Sequence, residues 1–278
     1  MQEIAPNIYI ENNSLGLVTG VIRTEEGSIL VDSPIRLDEQ KSWRSGTARL
    51  ILGEPRFLIT LDTNYDRLLS AKGSDSVIIA QSNCFGQSRA RSATTKGQED
   101  LLGYSESVDV MNGGTRWFPP EISFQEDLSL FFGTSEINLE HHSGANNAGI
   151  WVILPKEKVI FVGDSVLVDQ PPFLAYSDLD AWIEDLKQLG TKPFKGFQII
   201  SARSGLVNHE QVKAMERLIT SIKHLLDPLM EENASLETVL GSIPKIMKRF
   251  EVSQSTSELY YNRLRWGMTT YYEQNVRS

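Results

Sequence analysis

The sequence predicts an α/β (α+β) fold in which two stacked β-sheets carry helices on their outer faces, followed by a helical C-terminal extension. Short β-type segments separated by Gly and Asn turns occur in two sets, and a helical pattern follows each set. From residue 208 onward, apolar residues recur at three- and four-residue steps, which is helical periodicity. We therefore expect a layered domain at 1–207 and a helical extension packed on it at 208–278.

The first half of the chain predicts a β-meander, a helix and then β-α-β order. Its strands are expected at residues 7–10, 15–22, 28–32, 56–60 and 76–80. A polar segment with spaced apolar positions, 36–52, predicts the helix between the third and fourth of these strands. Residues 81–116 are rich in Ser, Gly, Gln and Asn, and loops of that length are usually functional or mobile.

A second set of strands precedes the helical extension. These strands are expected at 122–124, 128–132, 136–140, 149–154, 159–162 and 196–201. A helix is expected at 179–189, with Ser177 and Asp180 as its capping box. In the extension, helical segments are expected at 212–222, 236–247 and 259–272.

Composition and charge exclude several classes of protein. The formal net charge is −9, and Lys and Arg are not clustered, so no nucleic-acid partner is expected. The sequence shows no secretory leader pattern and no long apolar run, so we expect a cytoplasmic protein without a membrane partner. The single cysteine, Cys84, cannot form an internal disulfide and is interpreted as a buried or incidental thiol.

Polar residues follow three of the predicted strands. They are Asp62, Asn64, Asp66 and Arg67 after strand 56–60, Asp164 after strand 159–162, and Arg203 after strand 196–201. Layered α/β folds place ligands at such strand ends when the ends face a common side. We therefore expect these side chains to share one pocket.

The order and spacing of these segments resemble the metallo-β-lactamase superfamily over about residues 4–210. Ile29-Leu30-Val31-Asp32 resembles an early strand of that family, and 120–149 resembles the run up to its second motif. Residues 154–164 are similar to the hairpin that ends in the bridging aspartate of the family's metal centre. The resemblance implies a four-layer αββα sandwich, a dinuclear metal site and hydrolase chemistry.

At the metal-ligand positions the chain departs from the family pattern. The family's His-x-His-x-Asp-His motif falls on Asp62, Asn64, Asp66 and Arg67, so that only Asp66 matches. The His of the second motif falls on Ala145, or on Asn146 if the register shifts by one residue. The bridging aspartate is kept as Asp164, and the final His becomes Arg203. The resemblance therefore implies that every histidine ligand is replaced.

These replacements predict an ion-pair cluster without a metal or other cofactor. Zinc prefers imidazole and thiolate ligands, and a guanidinium group cannot release its proton. The charges of Asp62, Asp66 and Asp164 are balanced by Arg67 and Arg203 to a sum of about −1. The leading hypothesis is a non-hydrolytic ligand-binding or regulatory protein, whose partner is a small anionic ligand bound by a guanidinium.

A second hypothesis is that the protein is an enzyme. Asp62, Asp66 and Asp164 would hold a single Mg²⁺, Mn²⁺ or Ca²⁺ ion that activates water for hydrolysis of a thioester, lactone or phosphodiester. The simpler interpretation of the polar pattern at 62–66 is an Asx-rich turn that caps the next helix. Catalytic residues are left unassigned, and whether the chain is an enzyme stays open.

Two further interpretations concern residues outside the main pattern. Asn146 and His142 are candidate additional cleft residues, although the pair His141-His142 fits a strand end better than a set of metal ligands. The aromatic-rich segment 260–266 is interpreted as core packing or as a surface for a homo-oligomer, which would fit a structural subunit.

Overall fold

Two β-sheets lie face to face between layers of helix in the computed structural model of the protein. The structure describes residues 1–13, 16–34, 37–50, 55–64, 67, 76–84, 119–251 and 253–276. Within these ranges, one sheet has seven strands and the other has six. The predicted αββα sandwich with C-terminal helices is confirmed.

The first sheet contains the N-terminal strands in chain order. They are β1 (Gln2–Ala5), β2 (Ile8–Asn12), β3 (Val18–Thr24), β4 (Gly27–Val31), β5 (Phe57–Ile59), β6 (Val77–Gln81) and β7 (Ile122–Phe124). Strands β1 to β4 form an antiparallel meander, whereas β4 to β7 run parallel. Helix α1 (Leu37–Leu50) lies between β4 and β5 in the chain. The carboxyl ends of these two parallel strands therefore meet at the same edge.

The second sheet has the order β13-β12-β11-β10-β9-β8. Its strands are β8 (Asp127–Phe132), β9 (Ser135–His141), β10 (Ile150–Leu154), β11 (Val159–Phe161), β12 (Gln198–Ser201) and β13 (Gly205–Val207). Among these described strands, only the β11–β12 pair is parallel. Helix α2 (Leu179–Leu189) and a short 3₁₀ helix (Lys192–Phe194) connect those two strands. Their carboxyl ends also lie side by side.

The two sheets pack directly on each other through branched aliphatic side chains. At Gly20 they come so close that a Cβ atom would lie 2.7 Å from Cε1 of Phe161. Backbone hydrogen bonds also join the sheets, from Val18 N to Ala202 O over 2.8 Å and from Ile150 N to Leu61 O over 3.0 Å. These bonds lie next to the strand ends that carry the candidate site.

Helices cover both outer faces. Trp43 of α1 packs on the first sheet beside Leu30 and Leu58. On the second sheet, Trp182 of α2 packs beside Trp151. The helices that follow are α3 (His209–Glu231), α4 (Leu236–Leu240), α5 (Ile243–Met247) and α6 (Gln254–Val276). Their apolar side chains continue the core of α2, and the division of the chain at residue 207 stays a prediction.

Local details differ from the sequence-based expectations. The predicted capping box of α2 is wrong by one residue, because Asp178 is the N-cap and accepts from Ala181 N over 3.0 Å. The Ser177 hydroxyl donates instead to Leu174 O over 3.1 Å. The segment 236–247 forms two short helices that are separated at 241–242. Most of the loop predicted at 81–116 lies outside the described residues.

Two findings bear on the classes of protein considered. Within the described ranges, no helix combines the length and the apolar character needed to cross a bilayer. Cys84 is buried beside Ala80 and Ala148, in agreement with a buried thiol.

Candidate functional site

Strand ends from both sheets converge at one edge of the sandwich. Asp32 follows β4 and residues 62–64 follow β5, while Asp164 follows β11 and Arg203 follows β12. We call this group the Arg67 cluster; its members are Asp32, Asp62, Asn64, Arg67, Asp164 and Arg203, and all are buried. The structure thus brings together five of the six residues proposed from the main sequence pattern and adds Asp32.

Arg67 lies at the centre of the cluster, with its side chain fully buried. Its Nε donates to Oδ2 of Asp32 over 2.8 Å, and its Nη2 donates to Oδ1 of Asp164 over 2.7 Å. Its Nη1 donates to Oδ2 of Asp62. One guanidinium therefore binds three buried carboxylates through three different nitrogens. Charge-assisted hydrogen bonds of this kind are the strong ones.

The turn after β5 brings Asn64 between two of these carboxylates. Its backbone N–H donates to Oδ1 of Asp62 over 2.7 Å, which forms an Asx turn. Its side-chain amide donates to Oδ2 of Asp62 over 3.2 Å and to Oδ2 of Asp164 over 2.8 Å. Asn64 therefore cross-links a strand end of the first sheet to a strand end of the second.

The turn after β11 holds Asp164 in place. Trp151 Nε1 donates to Oγ of Ser165 over 3.1 Å, and Trp182 Nε1 donates to the carbonyl of Ser165 over 2.8 Å. These bonds anchor the residue next to Asp164 to the core under α2. Arg203 Nε then donates to Oδ2 of Asp164 over 3.2 Å. Asp164 is therefore shared between guanidinium groups from two different strand ends.

Burial and charge shift the pKa of Asp164 downward overall. Burial is the largest single effect and acts to raise its pKa, but the positive charges of Arg203 and Arg67 and their hydrogen bonds outweigh it. The pKa of this carboxyl lies well below its usual range. For Arg67, burial acts to lower the pKa, but the surrounding carboxylates raise it well above its ordinary value. The Arg67–Asp164 contact is therefore an ion pair at neutral pH.

The pKa values of Asp32 and Asp62 are shifted in the opposite direction. Burial, aided by the negative charge of Asp62, raises the pKa of Asp32 to about 6, although Arg67 acts to lower it. Burial likewise raises the pKa of Asp62, with a further contribution from the charge of Asp164. Crowding three carboxylates around one cation thus disfavours full ionisation.

These residues, as placed, do not fit the metal centre that the resemblance implies. Both oxygens of each carboxylate in the cluster already accept hydrogen bonds, from Arg67, Asn64, Arg203 and the backbone N–H of Leu61. The guanidinium also places a permanent positive charge among them. Among the residues that the structure describes, no group of three or more His, Cys, Asp or Glu is placed to hold a metal ion.

The other positions carried over from the resemblance have different surroundings. Asp66 lies outside the described residues. Ala145 is part of the core beneath α2. Asn146 is buried, and its Oδ1 accepts from Thr63 Oγ1 over 3.0 Å and from Ala148 N over 3.0 Å. Asn146 therefore reaches the turn after β5 through Thr63.

His142 packs against α2 on the outer face of the second sheet. Its ring stacks on Trp151 with centroids 3.5 Å apart, and its Nδ1 is 2.8 Å from Oδ1 of Asp185 in α2. Its Nε2 is 3.6 Å from Oε2 of Glu140. Burial acts to lower the pKa of His142, but its contacts with Asp185 and Glu140 raise it overall. The described contacts of His142 thus join a strand end to α2.

Sequence reasoning missed Asp32 and Arg263 at this edge. Asp32 ends the predicted strand 28–32, but the set of polar residues expected at the strand ends does not include it. Phe173 and Arg263 come from the segment before α2 and from α6, and the Cζ of Arg263 lies 4.0 Å from the centre of the Phe173 ring. The Cζ of Arg203 lies 4.8 Å from the same ring centre. An aspartate directly after a buried strand was a usable signal, whereas nothing in the pattern of α6 points to Arg263.

Comparison with known proteins gives matches in structure only. No family model matches the sequence, and no curated protein matches it. A metallo-β-lactamase from Pontibacter korlensis matches with a TM-score of 0.59 and 13% identity, over 79% of this chain and 97% of that one. The DIM-1 metallo-β-lactamase matches with a TM-score of 0.57 and 13% identity, over 79% and 96% of the two chains.

The helical extension is included in a third match. The stereoselective inverting sec-alkylsulfatase Pisa1 from Pseudomonas sp. matches with a TM-score of 0.71 and 12% identity, over 98% of this chain and 49% of that one. This chain therefore corresponds to about half of the alkylsulfatase. Because identities this low show the fold alone, the conclusion concerns architecture: the chain is a divergent protein with the metallo-β-lactamase fold.

Proposed function

We propose that this protein keeps the metallo-β-lactamase fold but works without the dinuclear metal site, as a non-hydrolytic protein that binds a small anionic ligand or regulates through it. The observation that carries the proposal is the contact of one guanidinium, that of Arg67, with three buried carboxylates. Arginine here satisfies the charges that a metal ion would otherwise satisfy.

Electrostatics opposes a metal ion beside this guanidinium. Two unit charges 4 Å apart interact by about 4 kcal/mol at an effective dielectric constant of 20, and a divalent ion doubles that repulsion. A metal ion at Asp62 and Asp164 would also have to displace the hydrogen bonds from Arg67 and Asn64. Both effects favour a cluster held by arginine alone.

The same arrangement supports an anionic ligand. Arg203 and Arg263 add two more guanidinium groups at the edge of the cluster, and both lie over Phe173. We also propose a cytoplasmic location, because the sequence has a single cysteine and this cysteine is buried. We further propose that the protein self-associates through α6, because Tyr261 on this helix has an exposed side chain.

The alternative is a hydrolase with one hard cation held by Asp62, Asp66 and Asp164. It is favoured by the structural matches, whose names describe β-lactamases and an alkylsulfatase. In this alternative, Arg67 has to move away from Asp62 and Asp164, because the oxygens of these two carboxylates must bind the ion instead. This movement would break the ion pairs on which our proposal rests.

A hydrolysis panel separates the two functions. Thioester, lactone, phosphodiester and sulfate-ester substrates are offered to the full chain with and without added Mg²⁺ or Mn²⁺. We expect no turnover in either condition. Turnover that depends on the added ion, that disappears in Asp164→Ala and that survives in the exposed control Asp169→Ala would overturn the proposal.

A further inference from the structure

Two guanidinium groups share one aromatic ring at the edge of the Arg67 cluster. The Cζ atoms of Arg203 and Arg263 lie 4.8 Å and 4.0 Å from the centre of the Phe173 ring. The two Cζ atoms are therefore at most about 9 Å apart, the sum of these distances. All three side chains are buried, with exposed fractions of 8% for Arg203, 5% for Arg263 and 6% for Phe173.

We propose that Arg203 and Arg263 together bind one tetrahedral oxyanion, the phosphate or sulfate group of a ligand, beside the ring of Phe173. The inference rests on the proposed function and deepens it, because it names the chemical class of the ligand and adds a ligand-binding residue from α6. The helical extension thereby becomes part of the site.

The geometry suits an anion that bridges the two side chains. Arg203 is bonded to Asp164 and Arg263 to Gln170, and an anion that contacts both guanidinium groups would add charge-assisted hydrogen bonds to each. A guanidinium presents a planar fork of donors, and a phosphate or sulfate group carries enough terminal oxygens to accept from two such forks. A carboxylate has only two oxygens and is satisfied by one fork. A tetrahedral oxyanion therefore uses this pair of arginines more fully.

Both guanidinium groups are already oriented by other contacts. Arg203 Nε donates to Oδ2 of Asp164 over 3.2 Å, and Arg263 Nη1 donates to Oε1 of Gln170 over 3.2 Å. The ring of Tyr260, one turn earlier in α6, lies 5.2 Å from the Cζ of Arg263. Side chains held in this way lose less conformational entropy when a ligand binds.

The three binding residues come from separate parts of the chain. Arg203 follows β12, Phe173 precedes α2, and Arg263 lies in α6. Leu264 and Met268 of α6 are buried in the core that also contains Phe173, so the helix is fixed against the wall of the site. A ligand bound to both arginines would therefore contact α6 as well as the end of β12.

Titration calorimetry of the full chain with inorganic phosphate and with sulfate, at constant ionic strength, tests the inference. The variants are Arg263→Gln and Arg263→Lys, and the matched control is Arg265→Gln, an exposed arginine on the same helix. We expect the wild type and Arg265→Gln to bind equally and Arg263→Gln to bind about 10- to 100-fold more weakly. Arg263→Lys should fall between them, because an ammonium lacks the planar fork.

The outcomes are distinct from those that test the proposed function. Equal affinity in Arg263→Gln and Arg265→Gln would overturn the inference, and so would the absence of phosphate or sulfate binding to the wild type. If Arg263→Gln does not fold, Arg263→Lys and Phe173→Leu take its place. Wild-type affinity for phosphate and sulfate in both of these variants would contradict the inference. A metal-free, non-hydrolytic protein without oxyanion affinity would leave the proposed function standing.

Discussion

The guanidinium of Arg67 donates through Nη2 to Oδ1 of Asp164 over 2.7 Å, and this contact joins the two sheets at their shared edge. Arg67 belongs to the segment after β5, whereas Asp164 follows β11. Asn64 reinforces the same junction through Oδ2 of Asp164. Side chains from both sheets thus form the junction at this edge.

Replacing Arg67 by Met should strongly destabilise the protein. The change leaves the carboxylates of Asp32, Asp62 and Asp164 buried without the cation that binds them, and loss of one partner of a buried ion pair costs about 3–5 kcal/mol. The free energy of unfolding from urea denaturation measures the effect. Arg44→Met, at an exposed position of α1, should change it by less than about 0.5 kcal/mol. Similar losses in both variants would contradict a central role for Arg67.

The same substitution should create affinity for divalent cations. Without the guanidinium, the carboxylates of Asp62 and Asp164 and the amide of Asn64 become a set of hard oxygen ligands. Addition of Mn²⁺ or Ca²⁺ should raise the Tm of Arg67→Met, because a ligand that binds only the folded state stabilises it. The Tm of the wild type should not change. An equal rise in both proteins would show that Arg67 does not compete with metal.

Asp32 should make stability depend on pH in an unusual direction. Its folded-state pKa of about 6 lies above the ordinary value of 3.8, so the folded state binds the extra proton between these values. Its contribution to the free energy of unfolding therefore falls as the pH rises from 4 to 6, by roughly 3 kcal/mol. The difference between wild type and Asp32→Asn, measured across pH 4–7, should show this fall.

Asp169→Asn is the matched control for that experiment. Asp32 and Asp169 both have left-handed backbones, with φ of 54° and 55°, which Asn tolerates well. Asp169 is exposed, however, so its replacement separates the effect of burial from the loss of a carboxylate. A wild-type minus Asp32→Asn difference that does not vary with pH would contradict the raised pKa.

The contribution of Asp164 to the free energy of unfolding should change with pH in the opposite direction. Because its folded-state pKa is lowered, its stabilisation is present above the ordinary value of 3.8 and is lost as the pH falls below it. Unfolding of wild type and Asp164→Asn should therefore converge at acidic pH, whereas the variant is weaker by several kcal/mol at pH 7. A gap that persists unchanged to pH 2 would be the contrary result.

His142 should titrate above its ordinary value of 6.5. The stabilisation from its protonated form is present below pH 6.5 and is lost as the pH rises through the folded-state pKa. An NMR titration measures that pKa directly. Asp185→Asn should lower it, because Asp185 is bonded to Nδ1, whereas the adjacent exposed control Glu184→Gln should leave it nearly unchanged.

Gly144 should not tolerate a side chain. A Cβ there would lie 2.3 Å from Cα of Trp182, which is backbone and cannot rotate away. We expect Gly144→Ala to lower the free energy of unfolding by about 1–3 kcal/mol. Gly46→Ala, in the middle of α1 with space for a methyl group, should raise it by about 0.5–1 kcal/mol. Equal effects of the two substitutions would contradict this close approach of the turn to α2.

The fold and part of the site could be predicted because they depend on local patterns. Alternating strands, turn residues and helical periodicity gave the order of the layers, and polar residues after buried strands pointed to Asp62, Asp164 and Arg203. Parallel pairing of neighbouring strands then brings such ends together. At these positions the order of the strands determines where a side chain lies.

The remaining features depend on contacts between distant parts of the chain. Asp32 meets Arg67 only because β4 and β5 pair in parallel, in a register that the sequence does not specify. Arg263 reaches Phe173 through the docking of α6, which no motif encodes. His142 lies one residue beyond β9, at a strand end as expected, and its contact with Asp185 depends on how α2 packs on the sheet.

Elemental analysis of the full chain, purified without chelators, tests the central claim most directly. If Arg67 takes the place of a metal ion among Asp32, Asp62 and Asp164, the protein should contain Zn, Fe and Mn only far below one equivalent per chain. The value should stay low after incubation with each metal and desalting. Near-stoichiometric metal in the wild type, lost in Asp164→Asn but kept in Asp169→Asn, would contradict the account.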